Sequence, residues 1–203
     1  GDLTSIETSF SFKKLFESIK SKNLESREKK FYVNLDDKIN YLFNSTIQGI
    51  EEADLIILIG CNPRLEATMV NARIRKSYLK NKLKIFSFGD PGNLTYDYEI
   101  IGNNTNDLKE FFSNKLKNEK IFKDISKPIV IMGESILQLK SGGSIFEETK
   151  NFLFKNNFIT EKWNALNVLI QNASTVGLID LNIITNKGDD YTFFEKLSTN
   201  KFK

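Results

Sequence analysis

Two short apolar runs with a helical pattern between them constrain this chain more than any other feature. Leu55-Ile56-Ile57-Leu58-Ile59 follows Glu51-Glu52-Ala53-Asp54 and is broken by Gly60-Cys61-Asn62-Pro63. Leu83-Lys84-Ile85-Phe86-Ser87-Phe88 ends at Gly89-Asp90-Pro91-Gly92. Charged and apolar residues alternate at helical spacing from Arg64 through Leu79. Short apolar runs bounded by Gly and Pro, joined by such a segment, read as strand, crossover helix and parallel strand. The first run is apolar on both faces, as a central strand covered by helices on both sides must be. The expected fold class is therefore α/β: a Rossmann-like, mostly parallel sheet flanked by helices. Such a sheet opens a crevice at the carboxyl ends of its strands, here at Gly60–Pro63 and Gly89–Gly92.

The flanking sequence extends this core. Phe12, Leu15, Phe16 and Ile19 recur at helical spacing, with Ser11 placed to cap the helix. Residues 21–30 read as a charged loop and Phe31-Tyr32-Val33 as a short strand. Ser45 or Thr46 caps a short helix through Ala53 that carries Ile47 and Ile50 inward. Pro63 suits a first helical turn, and the helix after it carries two apolar stripes, Leu65, Met69 and Ala72 on one and Val70, Ile74 and Tyr78 on the other. A helix apolar over so wide an arc is expected to be well buried. Residues 93–106 read as loop anchored by Tyr96 and Tyr98, with Asn106 capping a helix that buries Leu108, Phe111 and Phe112. Ile129-Val130-Ile131-Met132 is a further buried strand closed by Gly133. Ser144 and Glu147 have capping-box spacing ahead of a helix burying Phe146, Leu153 and Phe154. Thr160 is placed to cap a helix through Trp163, Leu166, Leu169, Ile170 and Ala173. The chain thus divides into leading helices and loop (1–53), a strand–helix–strand core (54–133), a helical continuation (134–185) and a polar tail (186–203).

Composition removes whole classes of chemistry. With no His and one Cys among 203 residues, this chain alone cannot build a structural zinc site, a Cys-ligated iron–sulfur cluster or an internal disulfide. Ser–His–Asp and Cys–His pairs are excluded as well, leaving carboxylate, Lys or Tyr chemistry. The formal charge is only +3, and the Lys-rich segments are interleaved with acids as on a solvated face; no nucleic-acid partner is expected. No apolar run approaches the roughly 18 residues that span a bilayer, so no membrane insertion is expected.

Four local signals remain, each with two readings. Gly60-Cys61-Asn62-Pro63 is either a nucleotide-facing turn or a simple tight turn; neither GxGxxG nor GxxxxGK followed by Ser or Thr is present. Cys61 is either a thiolate stabilised at a helix start or a buried structural thiol. Ser141-Gly142-Gly143-Ser144 either cradles an anion or caps a helix. The fourth signal is the arginines. Positive charge is carried almost everywhere by Lys, and the arginines are Arg27, Arg64, Arg73 and Arg75. Three of these four share one helix and its entry turn, where a planar bidentate fork is hard to replace by Lys. Arg64, Arg73 and Arg75 form either an interface or anion-binding cluster, or local ion pairs with Glu51, Glu52 and Glu66.

Longer stretches carry a resemblance. Asn44-Ser45-Thr46-Ile47-Gln48-Gly49-Ile50-Glu51-Glu52-Ala53-Asp54, Leu58 through Ala67, Asn71-Ala72-Arg73-Ile74-Arg75-Lys76-Ser77, Asn93 through Tyr98 and Trp163 through Leu169 resemble the large iron–sulfur subunit of respiratory complex I. The part resembled lies within its carboxyl-terminal, molybdopterin-oxidoreductase-like domain. The resemblance implies a scaffold piece of the peripheral arm of an enzyme that moves electrons from NADH to quinone and pumps protons. It implies iron–sulfur clusters in an amino-terminal region or in partner subunits and none in this chain, with those subunits as partners. The location it implies is the matrix side of the mitochondrial inner membrane, or the cytoplasmic side of a bacterial one; the Lys-, Asn-, Ile- and Phe-rich composition suits an organellar genome. Cofactor-bearing members of the wider family approach a guanine dinucleotide with the turn after the first strand and with an Asp-Pro-Arg turn after the next. Gly60, Asn62, Pro63 and Asp90 occupy matching positions as vestigial candidates. This sequence has Asp90-Pro91-Gly92, without the Arg, so no cofactor is expected here.

Overall fold

A computed structural model describes residues 3–21, 24, 26, 30–81, 83–113, 115–184 and 193–199. The helices are α1 (Ile6–Ser18), α2 (Thr46–Gly49), α3 (Pro63–Glu66), α4 (Thr68–Asn81), α5 (Thr105–Ser113), α6 (Lys115–Phe122), α7 (Glu134–Leu137), α8 (Gly142–Lys155), α9 (Thr175–Asp180) and α10 (Phe193–Ser198). Strands β1 (Leu55–Ile59), β2 (Lys84–Phe88), β3 (Glu99–Gly102), β4 (Pro128–Gly133) and β5 (Leu166–Leu169) form one parallel sheet in the order β3-β2-β1-β4-β5. The expected α/β class and its central strand are both present.

Side chains alternate across the sheet, and that alternation makes two cores. Leu55, Ile57 and Ile59 of β1 lie in one apolar layer with Val130, Met132, Leu166 and Val168, under Phe111, Phe112, Phe146 and Leu153 of α5 and α8. Ile56 and Leu58 lie in the other with Ile85, Ile129 and Ile131, under Val70 and Ile74 of α4 and Ile50. All five β1 side chains are fully buried, so this strand's sequence has no room for a polar residue on either face. Edge-to-face and tilted rings from Phe88 through Phe111, Phe112 and Phe152 to Phe122 tie α5, α6 and α8 together over the first layer.

The two sheet edges are treated differently. Beside β5, the amide of Val168 donates to the Leu42 carbonyl (3.0 Å) and Asn44 Nδ2 donates to the Leu166 carbonyl (2.7 Å). The fully buried Asn167 accepts from both the amide and the hydroxyl of Ser45 (2.8 Å each). β3 is four residues long and pairs with β2 only from Phe86 onward. Among the described residues no strand lies beyond it in the sheet.

Several expectations are corrected. Helix α1 starts at Ile6, six residues before Phe12, capped by Ser5, whose hydroxyl accepts from Thr8 N–H; Ser11 lies inside the helix and bonds the Glu7 carbonyl. Residues 31–33 are irregular rather than a strand, although Phe31 and Val33 are buried. Ile50 points inward but Ile47 is exposed, because the short helix tightens into a 3₁₀ turn at Ile50–Glu52. Ala67 adopts φ −151°, which breaks the long helix into α3 and α4. The Val70–Ile74 stripe is buried, whereas Leu65, Met69 and Ala72 face outward. Glu99–Gly102, expected as loop, is β3. α5 is capped by Asn104, which accepts from the amides of Asn106 and Asp107, rather than by Asn106. α8 begins at Gly142, with Ser144 bonded to Glu148 and no capping box to Glu147; Phe146 and Leu153 are buried while Phe154 is exposed.

The largest correction is β5. Thr160 caps no helix; its hydroxyl accepts from the amides of Lys162 and Trp163 in a tight turn, and its own amide donates to the Trp163 carbonyl. Leu166–Leu169 then runs as a buried strand through what was expected to be helical continuation. Arg27, much of the 21–30 loop and residues 185–192 and 200–203 of the tail lie outside the described residues; within the tail, 193–198 is helical.

Candidate functional site

The strand order places the topological switch between β1 and β4, because the chain leaves β1 toward β2 and returns to β4 on its other side. The crevice of such a sheet therefore lies at Gly60–Pro63 and Gly133–Ser135, and not between Gly60–Pro63 and Gly89–Gly92 as expected, because β2 continues the sheet on the same side as β3. This chain fills it with its own atoms. Ser135 Oγ donates to the Gly60 carbonyl at 2.6 Å. A side-chain carbon added at Gly60 (φ +58°) would lie 2.7 Å from Ile136 Cγ1, and one at Gly133 would lie 2.2 Å from the Gly60 carbonyl oxygen. The two turns are closed onto each other, and both glycines are required by that approach.

Asn62 and Pro63 start α3 as expected, and the amide and side chain of Asn62 find partners inside the chain. Asn62 Oδ1 accepts from the Leu65 amide, Asn62 Nδ2 donates to the Pro91 carbonyl (2.6 Å), and the Asn62 amide donates to Glu66 Oε1 (2.8 Å). A carboxylate thus already occupies the amide that an incoming phosphate would use. The other Glu66 oxygen is buried without a hydrogen-bond partner among the described residues. Cys61 is buried with Sγ 3.7 Å from the Ile131 carbonyl. Burial, helped by the nearby Glu66 charge, pushes its thiol up to about 12. The thiolate reading is thereby corrected: this sulfur is a small apolar filler.

The second turn is self-contained as well. Asp90 Oδ1 accepts from the Tyr98 hydroxyl (2.7 Å) and from the Gly92 amide (2.8 Å), and these contacts hold its carboxyl below the ordinary Asp value. Gly92, in place of an arginine, has φ +73° with open space around its α-carbon. Backbone conformation rather than crowding therefore favours glycine here. Tyr96 donates to Asn71 Oδ1, and Asn71 Nδ2 donates to the Leu94 carbonyl, locking the 90–98 loop to α4. Glu134, which sequence reasoning passed over, is buried at the end of β4 and accepts from the Gln171 amide and from Gln138 Nε2. Its only sequence signal is an acid at a helix start, which many exposed helices share. At Ser141–Ser144 the glycines serve packing: a side-chain carbon would meet the Ile136 carbonyl at Gly142 and the Tyr32 carbonyl at Gly143. Among the described residues no cluster of three His, Cys, Asp or Glu side chains could hold a metal.

The arginines divide. Arg73 and Lys76 both bind the Glu51 carboxylate, which lowers its affinity for a proton through Lys76 first and Arg73 second. Arg64 donates to the Asn93 carbonyl (2.8 Å). Neither Glu52, paired with Lys127, nor Glu66 partners an arginine as the local-pairing reading required. Arg75 is exposed, and among the described residues no hydrogen bond or ion pair engages it.

The chain is 34% identical to the NADH-ubiquinone oxidoreductase 75 kDa subunit of Reclinomonas americana, covering 100% of this chain and 31% of that protein. It is 36% identical to the mitochondrial 78 kDa subunits of Neurospora crassa and Candida albicans, covering 89% and 91% of this chain. The chain spans between a quarter and a third of the length of these curated relatives. A profile described as molybdopterin oxidoreductase matches residues 1–199. A parallel, doubly wound sheet and a match over nearly its whole length place this chain in the molybdopterin oxidoreductase family.

Proposed function

We propose that this chain is a scaffold piece of the large iron–sulfur subunit of mitochondrial respiratory complex I, standing in the matrix-side peripheral arm and carrying no redox centre or pterin of its own. The relatives named for that oxidoreductase, at 34–36% identity, support the placement. The observation that carries the structural half is the turn after β1. Its amide is held by Glu66, its carbonyl by Ser135, and the space above it by Ile136. A pterin dinucleotide would have to displace all three, and its pyrophosphate would meet a carboxylate in low-dielectric surroundings. The residues present do not fit that group, and Gly92 offers no arginine to replace the missing charge. The chain's work in this reading is to hold neighbouring protein, with iron–sulfur clusters supplied by the rest of the subunit or by its partners, while the assembled enzyme passes electrons from NADH to quinone and moves protons.

The test is purification of the assembly through a tag on this chain. Co-migration with NADH-oxidising, quinone-reducing activity, without molybdenum, tungsten or pterin fluorescence in stoichiometric amount, is the expected result. A stoichiometric pterin would replace this reading with a dinucleotide-binding oxidoreductase domain using Gly60–Pro63 and Gly89–Gly92. Migration away from that activity would remove the assignment to the complex.

A further inference from the structure

We propose that the outer face of α3 and α4 is the seat of an acidic amphipathic helix belonging to a separate polypeptide, an inference that rests on the scaffold reading above and names the surface that reading uses. On α4, Met69, Ala72, Lys76 and Leu79 fall on one stripe at helical spacing, with Arg73 and Lys80 on one flank and Arg75 on the other. Met69 is 66% exposed and Leu79 69% exposed; Leu65 on the preceding turn is 80% exposed. The opposite stripe, Val70 and Ile74, is buried against the sheet. The helix is therefore apolar on both sides, and among the described residues only one side has its partner.

Charge narrows the occupant. The whole chain is nearly balanced, with 29 basic and 26 acidic residues. α4 has four basic residues and no acid. The one acid of α3, Glu66, is turned inward to the Asn62 amide. Glu51 offsets Arg73 and Lys76, which leaves Arg75 and Lys80 to flank the apolar stripe. A docking helix with acids beside its own apolar ridge meets both features, whereas a basic one is repelled.

Composition points to a separate protein rather than to an internal packing partner. Protein–protein contact surfaces are enriched in Met and Arg and depleted in Lys. This chain, which otherwise uses Lys, puts three of its four arginines and one of its two methionines on this turn and helix. The other methionine, Met132, is fully buried in β4.

A photo-crosslinking amino acid at Ala72 in the full-length protein, within its purified complex, tests this. Mass spectrometry of the crosslinked peptide is expected to identify a helical segment of a different chain with Asp or Glu within a turn of its apolar residues. Arg75→Glu is expected to lower the yield about two- to fivefold, the range of one lost surface pair, and Leu79→Ser to lower it further. A crosslink within the same polypeptide, to lipid, or to a segment without acids would overturn the proposal, as would no crosslink at all. If the chain sits in the complex and Ala72 fails to crosslink, this inference alone falls. If the chain is absent from the complex, the scaffold reading falls, and the peptide captured at Ala72 in the assembly that purifies with the full-length protein still decides the surface.

Discussion

At the scale of single residues, the turns after β1 and β2 are held by internal fasteners. Cys61 shows how far this goes. With its thiol pushed up to about 12, on the order of one molecule in ten thousand carries a thiolate at pH 8. Maleimide should leave the folded chain unlabelled there and label it fully in denaturant. The linkage has a definite sign: an acid whose folded pKa is raised favours the folded state while it is neutral in both states. That contribution is complete below the unfolded thiol's ordinary value near 9 and is lost as pH rises from there toward 12. Stability measured by denaturant midpoint should fall over that alkaline window, and Cys61→Ala should flatten the fall. At Gly92 a different force acts. Gly92→Arg should cost about 1–2 kcal/mol because φ +73° is costly for any side chain; chemical denaturation would register the loss.

At the scale of elements, the 90–98 loop is held by a buried polar pair rather than by apolar burial alone. Asn71→Ala would strand the Tyr96 hydroxyl and the Leu94 carbonyl together. It should destabilise the fold by about 1–3 kcal/mol, with Tyr96→Phe costing less because it leaves Asn71 its carbonyl partner; a thermal or denaturant series orders the two. These contacts also explain which elements sequence could disclose. β1, β2 and β4 were legible because a strand buried on both faces must be a short apolar run, and Ile56 through Ile59 permit no other reading. β5 was not, because Trp163, Leu166 and Leu169 happen to keep helical spacing. What makes Leu166–Leu169 a strand is pairing with β4 and the Asn167–Ser45 bonds, both of them long-range. β3 escaped for the opposite reason: an edge strand only half covered has no apolar run to show, and Glu99-Ile100-Ile101-Gly102 reads as loop. Gly60, Asn62, Pro63 and Asp90 lie on the two turns that follow β1 and β2. Their present partners, Ile136, Glu66, Pro91 and Tyr98, lie on neighbouring turns and elements that periodicity does not bring together.

At the scale of the whole molecule, stability is graded across the sheet. β1 and β4 are flanked on both sides by strands and on both faces by core, so their amides should exchange with solvent only on global unfolding. β3 should exchange first, and hydrogen exchange read by mass spectrometry would show protection rising from β3 through β2 to β1. Ile57→Ala, in the central strand, should cost about 2–5 kcal/mol and lower the protection of β1 and β4 together, whose amides open only on global unfolding.

The unequal borders of the sheet give the molecule a direction. On the β5 side, residues 42–45 seal the last strand with backbone and side-chain bonds, so no further strand can be laid there without first peeling the chain's own away. On the β3 side the outward N–H and C=O groups from Glu99 to Gly102 stand ready for a neighbour. If this sheet is ever lengthened, it can be lengthened only beyond β3, as a wall with one finished end grows only from the other.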